Sequence, residues 1–121
     1  MFMVRKKNQN GACKCAYNTL NVLGALNTTG DMLWSEDFDV RTDKKTALRL
    51  LKTAEKELNS AKVNCSGLKD TVGLVEKDIE HAITNLKDGQ YSAARDYIGR
   101  GITDLPHATK LCFMVKKRRI R

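Results

Sequence analysis

Proline occurs once in this chain, at Pro106, and aromatic side chains are down to three Phe, three Tyr and one Trp. A β-sandwich needs many tight turns and a supply of strand-forming aromatic and β-branched side chains, so that class is excluded and helix is the default. No run approaches the roughly 18 uninterrupted apolar residues that a membrane span requires. Arg5-Lys6-Lys7 resembles the basic start of an export signal. However, Tyr17 to Leu26 is interrupted by Asn18, Thr19 and Asn21, and Asn10 stands where a lipoprotein cleavage site before Cys13 would have an aliphatic residue. Export is not expected, which leaves the cytoplasm. Also missing are a phosphate-cradling glycine loop, a paired-carboxylate motif and a nucleophile elbow, so nothing calls for an enzyme, a cofactor or a small-molecule substrate.

What remains is 121 residues, 41% hydrophobic and 30% charged, the balance of one ordinary globular domain. The net charge of +8 is concentrated at the ends. Of the 22 basic residues, nine lie in residues 1–7 and 110–121, which leaves 13 against 14 acidic ones elsewhere. Residues 1–10 read as a flexible basic arm, 11–115 as the helical domain and 116–121 as a basic tail.

The heptad-like spacing predicts an antiparallel bundle of four to five helices. A first helix from about Ala12 to Leu26 would stop at Asn27-Thr28-Thr29-Gly30. It is apolar on two sides, with Cys13, Tyr17, Leu20 and Leu23 on one and Cys15, Val22 and Leu26 on the other. A linker follows, whose Trp34 and Phe38 are expected to tuck over a helix end. In the second helix, capped by Thr42 or Asp39, Ala47, Leu51, Ala54, Leu58 and Ala61 form one seam. Leu68, Val72, Val75, Ile79, Ala82 and Leu86 repeat the step in a third, which Gly89 ends. Tyr91, Ala94, Ile98, Ile102 and Leu105 form the inner row of a fourth, and Leu111 to Val115 is read as a short fifth helix. Seams of this length, and a first helix apolar on two sides, predict a homodimer.

Opposite the second seam lie Arg41, Lys45, Arg49, Lys52 and Lys56, within about 80° of one another by the helical step and with no acid among them. Like charges four apart oppose the helix by a few tenths of a kcal/mol each, so a solvated lysine-rich face competes with a row that tracks phosphates. Lys116, Lys117, Arg118 and Arg119 in the tail extend the anion-binding set. No aromatic interleaves with either patch, so stacking on single-stranded bases is not expected.

Cys13-Lys14-Cys15 offers two thiols to a soft metal. In a helix the two positions lie about 200° apart and cannot share an ion. Cys13, Cys15, Cys65 and Cys112 are therefore read as reduced, unmetallated thiols, Cys65 and Cys112 poorly reactive. His81, one turn after Asp78, is an ordinary surface histidine. Histidine-phosphotransfer bundles have Lys-Gly after their histidine, whereas Ala82-Ile83-Thr84-Asn85 stands here.

Arg100-Gly-Ile-Thr-Asp-Leu-Pro-His107 resembles the Arg-and-His pair of HEPN-type helical ribonucleases. Gly89-Gln90-Tyr91 with Ala94 is similar to a hairpin turn of that family and of tetratricopeptide repeats. The resemblance implies an RNA-cleaving dimer with Arg100 and His107 at its site. Gly101 after the arginine and Pro106 before the histidine depart from the pattern. The leading reading is a non-enzymatic, dimeric helical bundle that engages an anionic partner, either nucleic acid or an acidic protein surface. The ribonuclease, a purely structural protein-interaction role and a thiol-based metal binder are the alternatives.

Overall fold

The computed structural model describes residues 2–105, with side chains from Lys14 onward other than Ser66. Four helices account for most of them: α1 (Phe2–Trp34), α2 (Asp43–Asn64), α3 (Lys69–Lys87) and α4 (Tyr91–Asp104). A single 3-10 turn, Ser66–Leu68, joins α2 to α3. There is no strand among the described residues. The expected fifth helix over 111–115, His107 and the basic tail lie outside them.

The largest departure from expectation is α1. It starts at Phe2, within the stretch read as a flexible arm, and runs through Asn27-Thr28-Thr29-Gly30 without stopping. No proline interrupts it, and the polar residues are absorbed locally. Thr29 is fully buried, and its hydroxyl donates to the Ala25 carbonyl oxygen one turn earlier at 2.7 Å. Gly30 lets α4 come close, since a Cβ built there would sit 3.5 Å from Ile98 Cγ2. At 1.5 Å per residue the 33 residues of α1 extend about 50 Å, against about 21 Å for the 14 of α4. A long helix therefore overhangs a short one.

The seam of α2 is buried as the spacing predicts: Ala47, Leu51, Ala54, Leu58 and Ala61 are all inaccessible. In α3, Val72, Val75, Ile79, Ala82 and Leu86 are buried, joined by Ile83, while Leu68, in the 3-10 turn before it, is half-covered. In α4, Ala94 and Ile98 are buried along with Gly101, and Leu105 closes the row. These side chains and Cys15, Val22, Leu26 and Leu33 of α1 form one continuous core. Each helix packs on two others: α1 on α2 and α4, α3 on α2 and α4. Fully burying a Leu, Ile or Val is worth about 1.5–3 kcal/mol, so this core is what holds four amphipathic helices together.

The two-sided apolarity of α1 resolves into one covered and one open side. Cys15, Val22 and Leu26 face the core, and Leu23 packs against its edge. Tyr17 and Leu20 stay 67% and 44% exposed. Phe38 tucks in as expected, edge-on to Tyr91 with centroids 5.2 Å apart. Trp34 does not tuck: it remains exposed, and the Arg95 guanidinium lies 3.9 Å from its ring centroid. A cation over the indole face supplies partial cover where the core offers none.

Candidate anion-binding face

The outer side of α2 is set by its seam. Because Ala47, Leu51, Ala54, Leu58 and Ala61 point inward, residues half a turn away point to water. Lys45, Arg49, Lys52 and Lys56 occupy those positions, and all four are exposed. Steps of four, three and four residues put them in a row about 16 Å long. The stems of these side chains, with half-buried Leu48 and exposed Thr53, line a shallow groove of about 530 Å³. Such stems cover apolar surface while the charged heads stay in water.

No member of the row is paired with an acid among the described residues. The ion pair found among the described residues is Lys62 with Glu76 at 2.6 Å, elsewhere on the α2–α3 contact. Glu57 is turned toward α1, where its Oε1 accepts from the side-chain amides of Asn18 (3.2 Å) and Asn21 (2.9 Å). Lys44 reaches the end of α3, donating to the Lys87 carbonyl oxygen at 3.2 Å, and so leaves the row to its neighbours.

Arg41 belongs to the row in sequence but not in structure. It precedes α2, in a turn where its backbone N–H donates to Asp39 Oδ1 at 2.9 Å. The turn forms because Asp39 and Asp43 bond reciprocally: the Asp43 N–H to the Asp39 carbonyl oxygen, and the Asp39 N–H to Asp43 Oδ2, each at 2.8 Å. Thr42 makes no side-chain cap. An acidic residue in the first turn is electrostatically favourable, so Asp43 does the work expected of the cap. Lys116, Lys117, Arg118 and Arg119 lie outside the described residues.

The cysteines require a correction. Cys15 and Cys65 are not free thiols; they form a disulfide, with Cα atoms 5.0 Å apart across 50 residues of sequence. The bond joins α1 to the turn after α2, and both residues are buried. Beside it Asn64 donates to Asn18 Oδ1 at 2.8 Å, which ties the same two helices through polar groups. A metal held by Cys13 and Cys15 is thereby overturned as well, since the Cys15 sulfur is already bonded. No cluster of metal-binding side chains occurs among the described residues. The even cysteine count was the available signal; spacing alone does not reveal which residues pair.

A second concavity, of about 690 Å³, lies between α3 and α4 and is lined by Leu74, Asp78, Asp96, Gly99, Arg100, Thr103 and Asp104. Burial pushes the Asp78 carboxyl up to about 6, helped by its hydrogen bond to and repulsion from Asp104, while Arg100 and His81 oppose the rise. The Asp78 Oδ2 atom is buried without a partner among the described residues. Arg100 is exposed, with its guanidinium 5.2 Å from the Tyr97 ring centroid. His81 is an exposed histidine stacked on the same ring at 4.8 Å. The histidine that the ribonuclease resemblance pairs with Arg100, His107, lies outside the described residues.

Among the described residues no helix is long and apolar enough to cross a membrane. No family model, curated protein or solved structure shows a significant match to this chain.

Proposed function

We propose that this chain is a non-enzymatic binding module, an antiparallel four-helix bundle whose second helix presents Lys45, Arg49, Lys52 and Lys56 to an anionic partner. The observation that carries the reading is the uncompensated row: four exposed cations on one helix face, none paired with an acid among the described residues. A row that costs helix stability is retained most readily where something outside the bundle neutralises it. About 16 Å of row matches close to five steps of a duplex at 3.4 Å per step, so a phosphate backbone is the partner it fits best. An acidic protein surface is the second.

Antiparallel order is supported by the cross-contacts. Residue 15 of α1 meets 65 and residues 18 and 21 meet 57, while 44 meets 87 and 62 meets 76 between α2 and α3. Residue 81 stacks on 97 between α3 and α4. The homodimer belongs to the same proposal. Exposed Tyr17 and Leu20, next to Gly24 with open space where a Cβ would stand, offer an apolar patch for a second copy. The Cys15–Cys65 bond favours an oxidising compartment, which weighs against the cytoplasm expected from sequence.

Fluorescence anisotropy with labelled duplexes tests the reading. Binding at 50 mM salt that tolerates changes of sequence and weakens steeply by 200 mM is expected. No binding at 50 mM, where electrostatic attraction is strongest, refutes the nucleic-acid reading.

A further inference from the structure

We propose that the folded chain carries an N-linked saccharide on Asn27 and none on Asn64, the other asparagine that stands in an acceptor sequence. The acceptor pattern Asn-x-Ser/Thr occurs twice, as Asn27-Thr28-Thr29 and as Asn64-Cys65-Ser66. It marks a modification site where a chain passes through an oxidising secretory compartment. The buried Cys15–Cys65 bond favours such a compartment. The proposal rests on that part of the reading above and is independent of the α2 row.

The packing of α1 separates the two sites. Asn27 is exposed, as are Thr28 beside it and Asp31 one turn on. Gly24, one turn before, has open space where a Cβ would stand, so bare helix backbone lies next to the acceptor. By the helical step Asn27 stands about 100° around α1 from Leu26, whose side chain is fully buried. A saccharide there projects into water and displaces nothing from the core.

Asn64 differs in each respect. It is half-buried, its Nδ2 donates to Asn18 Oδ1 at 2.8 Å, and the next residue, Cys65, is bonded to α1. A saccharide on that nitrogen would crowd the contact that the disulfide closes, so a chain modified there would not complete this bundle.

Thr29 fixes the order of events. Its hydroxyl is buried and donates to the Ala25 carbonyl oxygen at 2.7 Å, so in the bundle the acceptor sequence is helical and its hydroxyl engaged. Transfer therefore precedes the closing of α1, and the fold selects which product persists. The donor is a saccharide carried on a lipid pyrophosphate. Asn27 Nδ2 attacks the anomeric carbon, and a C–N bond forms as the C–O bond to the pyrophosphate breaks. The lipid pyrophosphate leaves with the electron pair, and the amide gives up one proton.

The full chain, led by a cleavable signal peptide into the secretory route of cultured eukaryotic cells, is collected from cell extract and medium. Secreted protein is expected as one species of reduced gel mobility, which peptide-N-glycosidase restores to that of the unmodified chain. That enzyme leaves aspartate in place of the modified asparagine. After reduction and trypsin, the change is expected in peptide 15–41 and not in 63–69. Asn27→Gln is expected to remove it from 15–41 in the extract as well as the medium, so a variant that stays in the cell is still read. Asn64→Gln is expected to leave the mobility of the secreted protein as it was. An unmodified chain in both fractions overturns the proposal, as does secreted protein modified on 63–69, or a change in 15–41 that survives Asn27→Gln. Thiol labelling of an unmodified chain then shows whether the compartment reading falls too: it stands if Cys15 and Cys65 are bonded and fails if both are free.

Discussion

Opening the Cys15–Cys65 bond should loosen the whole bundle, and the size of the effect follows from the chain it closes. A cross-link between residues 50 apart removes loop entropy from the unfolded chain worth about 4 kcal/mol at 25 °C, while measured losses on removing such bonds run from about 2 to 5. A chain of 121 residues unfolds with an entropy of roughly 250 cal/mol/K, so a loss of 2–4 kcal/mol lowers Tm by about 8–16 °C. The perturbation is best made in a Cys13→Ala/Cys112→Ala background, so that no other thiol exchanges with the bond. Thermal unfolding by circular dichroism is then compared with and without reductant, and against a further Cys15→Ala/Cys65→Ala variant. Alanine is preferred to serine because both sites are buried and a hydroxyl there would be unsatisfied. Reduction and the double replacement should give similar Tm values, both well below that of the bonded protein. A change under about 2 °C, with thiol titration showing the bond open, would refute the view that it constrains α1.

Asp78→Asn tests the α3–α4 contact. Because its folded pKa is about 6 against 3.8 ordinarily, the native state holds the proton more tightly. The group's stabilising contribution is full below about pH 3.8 and lost as pH rises through about 6. Solvent screening reduces the effect to about 1 kcal/mol, so the variant should gain about that much over the unaltered chain at pH 7.5 and nothing at pH 4 in urea titrations; an equal difference at both pH values counts against it. Glycine replacements separate backbone from packing. Gly99→Ala, with open space at its Cβ, should stabilise by about 0.5–1 kcal/mol, whereas Gly101→Ala should give less or lose stability, since its Cβ would stand 3.1 Å from Leu26 Cδ1. Equal gains at the two sites would show that the α1–α4 contact is looser than described. Sedimentation equilibrium should show a dimer at micromolar concentration that Tyr17→Ser/Leu20→Ser weakens, and a 13.6 kDa particle up to about 100 µM would exclude it.

The seams of α2, α3 and α4 were legible because an apolar residue every three or four positions has one way to be buried in a helix: Leu51, Leu58, Ile79 and Ile98 are where the period puts them. The extent of α1 was not. Its stop signal was read from Asn27 to Gly30, yet Thr29 satisfies its hydroxyl within its own helix and Gly30 serves close packing on Ile98. Tertiary contact overrode local propensity there. The row of Lys45, Arg49, Lys52 and Lys56 was legible for the same reason as the seam it opposes. Arg41 was not, because two aspartates bend the chain just before α2 begins. The disulfide was out of reach of spacing arguments, since its two cysteines are brought together by the packing of α1 on α2.

The claim that α2 engages a row of phosphates is tested most directly by the salt dependence of binding in Arg49→Gln/Lys52→Gln. Both side chains point away from the seam, so stability should change by no more than about 0.5 kcal/mol and the comparison is one of binding alone. On B-form duplex the slope of log affinity against log salt should become shallower by about 1.8, two lost phosphate contacts at about 0.9 each. An unchanged slope, with affinity unaltered at every salt concentration, would show that duplexes are bound elsewhere and that the row is a solvated face.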